Sequence, residues 1–200
     1  MSLLGVDSGA LYAAVAGLLD EKGIVTPPEI SERIAVTERA SPAQGARMIA
    51  KAWLEPEYRH LLLTNGTAAA EALGITMRGA PPLGVLENGP GLHHLVVCTL
   101  CSCYPRAVLG YPPFWFKSSA YRARAVRDPV GTLAAWGTCL PPGTRVRVVD
   151  STADYRWMVL PVRPDGTEGW SADDLAAIVR EGDMIGVTCP DPARRRVRPT

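Results

Sequence analysis

Val97-Cys98-Thr99-Leu100-Cys101-Ser102-Cys103 puts three of the chain's five cysteines within six positions. Cys98 and Cys101 are spaced to grip one ion from a single turn, and Cys103 returns to the same side two residues on. Thiolates select soft or borderline transition metals, and coordination deprotonates them outright. The backbone amides of Ser102 and Cys103 lie between the last two sulfurs. They can face the same ion if a trivalent metal removes their protons. Such a set leaves one octahedral vertex open, the feature that separates catalytic from structural metal sites. The competing reading is a zinc site in which His94 or Cys189 closes a tetrahedron around Cys98, Cys101 and Cys103. A redox pair at Cys98 and Cys101 is disfavoured, because the third thiol would scramble it.

The rest of the composition narrows where function can lie. At 200 residues and 47% hydrophobic, the chain suits a globular domain with an accessory segment. A formal net charge of +1 gives no pull toward nucleic acid or an anionic membrane. No apolar run is long enough to span a bilayer, and no charged start precedes an apolar segment, so the expectation is a cytoplasmic protein. Clustering of three cysteines and isolation of Cys139 and Cys189 argue against a disulfide framework and leave those two as free thiols.

Upstream of the claw the pattern is helical. Leu11, Val15, Leu18 and Leu19 give a first helix over Asp7–Glu21, stopped by Gly23. Thr26, Pro27 and Glu29 have capping-box spacing for a second helix to about Arg39, and Ser41-Pro42-Ala43-Gln44 repeats the device for a third ending before Pro56. Two shorter pieces follow, around Glu57–Leu63 and Thr67–Leu73. Their apolar stripes exceed what short helices bury among themselves, so residues 1–78 are expected to form a helical arm that clasps a partner, and residues 79–200 a metal-binding catalytic domain. Glycine and proline punctuate Gly74–Pro90 into an extended connection.

Leu95-Val96-Val97 is a short buried strand running into the claw, and an irregular stretch follows to Pro112-Pro113. Ser118 caps a helix to about Arg127, and Pro129 starts another to Trp136. The period then changes to two over Arg145–Asp150 and Trp157–Pro161, which predicts two strands. Ser171 caps a helix through Arg180 that Gly182 stops, and Met184–Val187 forms a last short strand. Arg194, Arg195, Arg196 and Arg198 read as a solvated end. Helices followed by mixed elements without regular alternation indicate an α+β fold. His60, His93 and His94 read as packed or exposed side chains rather than ligands, and Trp115 and Phe116 as packing over the claw.

The claw and its flanks resemble nitrile hydratase alpha subunits. The likeness runs through Gly45-Ala46-Arg47, Ala50-Lys51-Ala52-Trp53 and Asn65-Gly66-Thr67-Ala68-Ala69, then Tyr104-Pro105, Val108-Leu109-Gly110, Pro112-Pro113 and Tyr121-Arg122-Ala123-Arg124. It resumes at Tyr155-Arg156-Trp157-Met158-Val159-Leu160-Pro161, Gly166-Thr167-Glu168 and Met184-Ile185-Gly186-Val187. The resemblance implies a four-layered α-β-β-α body behind a helical arm that clasps a beta-type subunit in a hetero-oligomer. It also implies a non-corrin cobalt(III) centre held by Cys98, Cys101, Ser102 and Cys103, with a cobalt-loading accessory protein. Thr99 matches the cobalt-type motif, whereas iron(III) members resemble this stretch with serine there.

In the family, sulfurs matching Cys101 and Cys103 are sulfinic and sulfenic, early rungs of the oxidation ladder. Cys103, Ser102 and Cys101 are then the candidate catalytic groups for hydrating a small-molecule nitrile to an amide. Oxidised sulfurs need donors, which the family's beta subunit looks to supply as arginines; Arg156 and Arg124 are the local candidates. Tyr104 and Trp115 are further candidates around the site. Arg106 stands where family members usually carry tryptophan, and the stretch Gly79-Ala80-Pro81-Pro82 lacks the expected glutamine or acidic residue, with Glu87 a possible substitute. Both departures point to a larger polar nitrile, as in the toyocamycin branch. The gamma subunit of thiocyanate hydrolase is similar in the same blocks, and its reaction also adds water across a carbon–nitrogen triple bond.

Overall fold

The computed structural model describes residues 7–196, with Arg196 described by its backbone alone. The chain forms two compact units, Met1–Arg39 and Ala40–Thr200. In the first, α1 (Ser8–Glu21) starts at Asp7, whose carboxylate accepts the Gly9 N–H at 3.1 Å. It ends at Gly23, where a φ of +64° lets the Ile24 N–H return to the Leu19 carbonyl at 2.9 Å. Helix α2 (Pro27–Arg39) opens with the expected reciprocal cap: Thr26 N–H donates to Glu29 Oε2 at 2.8 Å and Glu29 N–H to Thr26 Oγ1 at 3.5 Å. Neither helix buries a residue.

The second unit begins with α3 (Pro42–Leu54), α4 (Pro56–Thr64) and α5 (Gly66–Glu71). Met48, Ile49, Leu62 and Ala69 are fully buried, so helices expected in the arm supply core here, and the contact boundary falls at Arg39 rather than residue 78. The Ser41 hydroxyl makes no cap; Gln44 N–H bonds the Ser41 carbonyl instead at 3.0 Å. A strand absent from the sequence reading, β1 (Leu83–Glu87), lies inside the presumed connection, packed so closely under α5 that a Cβ at Gly66 would sit 2.6 Å from the Leu83 carbonyl. Glycine and proline on both sides masked a run only five residues long.

β1 pairs in parallel with β4 (Arg156–Leu160), and β2 (Leu92–Val97) pairs in parallel with β3 (Arg145–Asp150). The two sheets meet through β2 against β4 and β1. Helices α4 and α5 cover β1, whereas α8 (Ser119–Arg127) packs on β2 and α9 (Pro129–Ala135) on β3. The result is the helix–sheet–sheet–helix layering of the expected α+β fold. Between β2 and α8 lie two single-turn helices, α6 (Arg106–Leu109) inside the stretch expected to be irregular and α7 (Phe114–Lys117) just after it.

The C-terminal part departs most from the sequence reading. Ser171 caps α10 (Ala172–Ile178), but Met184 and Ile185 lie in α11 (Glu181–Ile185), not in a strand, and Gly182 sits within that helix. A four-residue apolar run has no decisive period. The Asp183 carboxylate accepts the Arg180 N–H at 2.8 Å and starts the helix, and Gly186, at φ +87°, ends it. A Cβ at Gly186 would lie 2.0 Å from the His94 carbonyl, which ties α11 to β2. A 3-10 turn (Pro192–Arg196) carries Arg194 onto fully buried Asp183 at 2.5 Å and Arg195 over the Trp170 ring at 4.4 Å. These two arginines are anchored rather than solvated, and Arg198 lies outside the described residues. No described helix is long and apolar enough to cross a membrane.

Candidate metal centre

The claw hangs from the buried end of β2. Val97 is opposite Asp150, and its carbonyl accepts the Ser151 N–H at 2.7 Å. As the chain leaves the strand, Asp150 grips Thr99 twice, taking its N–H at 3.0 Å and its hydroxyl at 2.5 Å. Leu100, 91% exposed, forms the tip; its carbonyl accepts from Arg122 Nη1 at 3.2 Å. The returning chain is anchored again at Tyr104, whose ring packs edge-on against Phe116 and whose hydroxyl donates to Glu181 at 2.5 Å. Both ends of the claw are therefore held by the body while its tip faces outward.

The three sulfurs all lie within 4.8 Å of one another, and no other group of three or more histidine, cysteine, aspartate or glutamate donors is gathered so among the described residues. Cys98 and Cys101 are 3.5 Å apart and Cys101 and Cys103 3.1 Å apart. Cys98 and Cys103 are buried and Cys101 is exposed. Hydrogen bonds from Cys103 and Cys98, with the amides of Ser102 and Cys103, lower the Cys101 pKa. Burial, with the shared bonds to Cys101 and Cys98, pushes Cys103 up to about 12.

The donor set fits a thiolate-bound transition metal: three soft sulfurs are gathered within 4.8 Å of one another. The fourth side chain that a closed zinc cage requires is not assembled there. His94 is committed to Asn88, its N–H donating to Oδ1 at 2.7 Å and its Nδ1 lying 3.2 Å from the same oxygen, and Cys189 joins no such group.

Other candidates fall into two sets. Ser102 is half-buried between the sulfurs, and Arg106, exposed at the start of α6, stacks on the Tyr111 ring at 4.5 Å. Arg156 stands at the start of β4, where its charge acts favourably on Cys103 and its buried Nη1 has no hydrogen-bond partner. Trp115, by contrast, is engaged in an aromatic cluster, 4.7 Å from Trp136 and 5.0 Å from Tyr121. Arg124 bonds the Gly131 carbonyl at 2.9 Å and lies 4.0 Å from Asp128, and Glu87 is paired with Arg59 at 2.5 Å. Asp150, Glu181 and Arg122 were not anticipated. The alternation of β3 places Asp150 at a strand end; nothing local in sequence announces the other two partnerships, which span 77 and 22 residues.

A layered α+β body thus presents, at the end of a buried strand, a three-cysteine claw whose sulfurs could hold a metal ion. Residues 7–188 match the family described as nitrile hydratase, alpha chain, and the chain belongs to that family. It is 44% identical over 182 residues to the alpha subunit of low-molecular-weight cobalt-containing nitrile hydratase from Rhodococcus rhodochrous, covering 90% of this chain and 88% of that one. A recombinant thiocyanate hydrolase with partially modified cobalt centres superposes with a TM-score of 0.85 at 40% identity, covering 98% of this chain and 96% of that one. A double mutant of the iron-type nitrile hydratase of Comamonas testosteroni Ni1 superposes at 0.79 with 36% identity, covering 98% and 97%.

Proposed function

We propose that this chain is the alpha subunit of a cobalt-dependent nitrile hydratase that converts a polar nitrile to its amide. The observation that carries this reading is the gathering of three sulfurs within 4.8 Å, with the Cys101 N–H donating to Cys98 Sγ at 3.3 Å inside the loop. Cys98, Cys101, Cys103 and the Ser102 and Cys103 amides would hold a trivalent cobalt ion. Bound there, the ion would supply Lewis acidity toward a nitrile or water. Asp150 through Thr99, and Glu181 through Tyr104, keep the two ends of the loop in place. Oxidised to a sulfenate, Cys103 would carry an oxygen lone pair able to take a proton from water or attack the nitrile carbon. Arg106, three residues past Cys103 and stacked on the Tyr111 ring, offers a cation above an aromatic ring, which would suit a large polar nitrile such as a cyano-nucleoside.

A beta-type subunit completes the site in this reading, and the exposed stripe of α1 and α2 clasps it. A cobalt-loading accessory protein and a cytoplasmic setting belong to the same proposal. Co-expression with a beta-type subunit in cobalt medium is expected to give a complex that holds cobalt and releases amide from a nitrile, with both lost in Cys103→Ala. Zinc bound to three unmodified thiols would overturn it.

Arg106 favours a second reading. Arg106 is exposed, three residues past Cys103, and its guanidinium would attract an anion such as thiocyanate. Release of carbonyl sulfide and ammonia from thiocyanate, with no amide from nitriles, would establish the chain as the metal-bearing subunit of a thiocyanate hydrolase.

A further inference from the structure

The two strands of the β2–β3 sheet have different outer edges. In a parallel pair, alternate residues turn their N–H and C=O toward the neighbouring strand and the rest turn theirs away. Arg145 N–H donates to the Gly91 carbonyl and Ser151 N–H to the Val97 carbonyl, so the odd-numbered residues of β3 face β2. On β2 the residues left facing outward are Leu92, His94 and Val96, and the body meets each of them. Leu92 exchanges both of its bonds with Gly89 at 3.1 Å, His94 N–H donates to Asn88 Oδ1 at 2.7 Å, and the Val96 carbonyl accepts from the Tyr121 hydroxyl at 2.7 Å. On β3 the corresponding residues are Val146, Val148 and Asp150, and among the described residues their backbone N–H and C=O groups make no hydrogen bond. A row of unpaired backbone groups on a valine-rich strand is a template for another strand.

We propose that β3 is a strand-addition edge, taking an extended segment of another protein in which acidic residues alternate with apolar ones. The backbone row supplies the pairing, and the side chains of β3 choose the sequence. Arg145 and Arg147 are exposed on one face of the strand, and among the described residues neither makes an ion pair. Val146 and Val148, on the other face, are half-buried. A strand laid beside β3 sets every second side chain next to the arginines, where carboxylates form opposite-charge cross-strand pairs, and the others next to the valines. A second copy of β3 is a poor occupant, because it would crowd its own Arg145 and Arg147 onto the same face. The charge that keeps copies of this chain apart therefore selects an acidic partner. The edge would bind that partner whatever ion the claw holds.

The experiment uses the full chain, alone and in complex with a beta-type subunit, with a short peptide alternating glutamate and valine and its lysine–valine counterpart. Amide exchange followed by nuclear magnetic resonance is expected to slow about tenfold at Val146, Val148 and Asp150 when the glutamate peptide is added. Val149, already in the ladder with β2, is expected to stay unchanged. Fluorescence anisotropy is expected to show the glutamate peptide binding about tenfold tighter than the lysine peptide, with the difference shrinking as salt is added. Arg145→Glu combined with Arg147→Glu is expected to reverse that preference. Val148→Pro, which removes one outward N–H, is expected to weaken the glutamate peptide about tenfold. The charge reversal lies on exposed side chains, so it decides the matter even where the proline variant fails to fold. Equal binding of the two peptides, a preference that survives the charge reversal, a folded proline variant that binds as the wild type does, or edge amides that keep exchanging freely would overturn strand addition by an acidic segment. Edge amides already protected without peptide would overturn it too, and in the complex would assign the edge to the beta-type subunit.

Discussion

α1 and α3 are both short amphipathic helices, yet their fates differ. α3 buries Gly45, Ala46, Met48, Ile49, Ala50 and Ala52, whereas α1 leaves Leu11, Tyr12, Val15 and Leu18 about half exposed and buries nothing. An apolar stripe states that a helix is to be covered and says nothing about which surface covers it. α3 can approach closely because a glycine lies on its inner face: a Cβ at Gly45 would stand 2.5 Å from Leu109 and 2.7 Å from the Met184 sulfur. The unit from Ala40 thus has a core of its own, while α1 buries no residue.

The comparison breaks most sharply at the buried ion pair of the larger unit. Asp183 is fully buried and accepts from Arg180 N–H at 2.8 Å and Thr188 Oγ1 at 2.5 Å as well as from Arg194. Replacing Arg194 with methionine leaves that carboxylate charged and underpaired, which is expected to cost about 3–5 kcal/mol in urea unfolding of the chain. Because α11 carries both Asp183 and Glu181, the same variant is expected to loosen Tyr104 and lower cobalt retention. A loss below about 1 kcal/mol would place Arg194 with the ordinary surface pairs.

Leu62, fully buried on α4, gives the next effect: Leu62→Ala is expected to cost about 2–5 kcal/mol by transfer and cavity terms.

How far the sequence foretold this division is uneven. The caps were legible because they are local: Thr26 with Glu29, Ser118 with Tyr121 and Ser171 with Asp174 each span three residues. The claw was legible for the same reason, its three ligands falling within six positions. What escaped depends on distant partners. β1 is a strand because β4, more than seventy residues on, pairs with it, Leu83 opposite Arg156. Met184 and Ile185 are helical because Asp183 caps α11 and Arg194 holds Asp183. Arg124 is the donor the sequence offered on α8, yet it bonds the Gly131 carbonyl, and it is Arg122 on the same helix that reaches the Leu100 carbonyl.

Histidine titration is a gentler probe and falls on the larger unit, since all three histidines of the chain lie beyond Arg39. His93 lies 3.1 Å from Asn88 through Nδ1 and 2.7 Å from the Gly186 carbonyl through Nε2, and burial lowers its pKa. Burial lowers His94 too, with Arg147, its cross-strand neighbour, acting in the same direction. Both are therefore neutral when folded and take up protons when the chain unfolds below pH about 6.5. Stability is complete above that pH and falls as pH drops toward the lower folded values, by at most about 1.4 kcal/mol per pH unit for each histidine. Urea midpoints at a series of pH values check this. The slope is expected to persist in a variant of exposed His60 and to shrink when His93 is replaced by glutamine.

The smallest effect is the most telling about α1. Leu18→Ala removes the same atoms as Leu62→Ala from a side chain that is 52% exposed, and in the isolated chain it is expected to change stability by less than about 0.5 kcal/mol. The cost should appear on association, because Leu11, Val15 and Leu18 share one helical face and would be buried together by a beta-type subunit. Titrating that subunit against the wild-type and Leu18→Ala chains is expected to show weaker binding with an unchanged unfolding midpoint. If the midpoint instead moves as far as it does for Leu62→Ala, the stripe is already covered within the chain, and α1 belongs with α3 as a core helix.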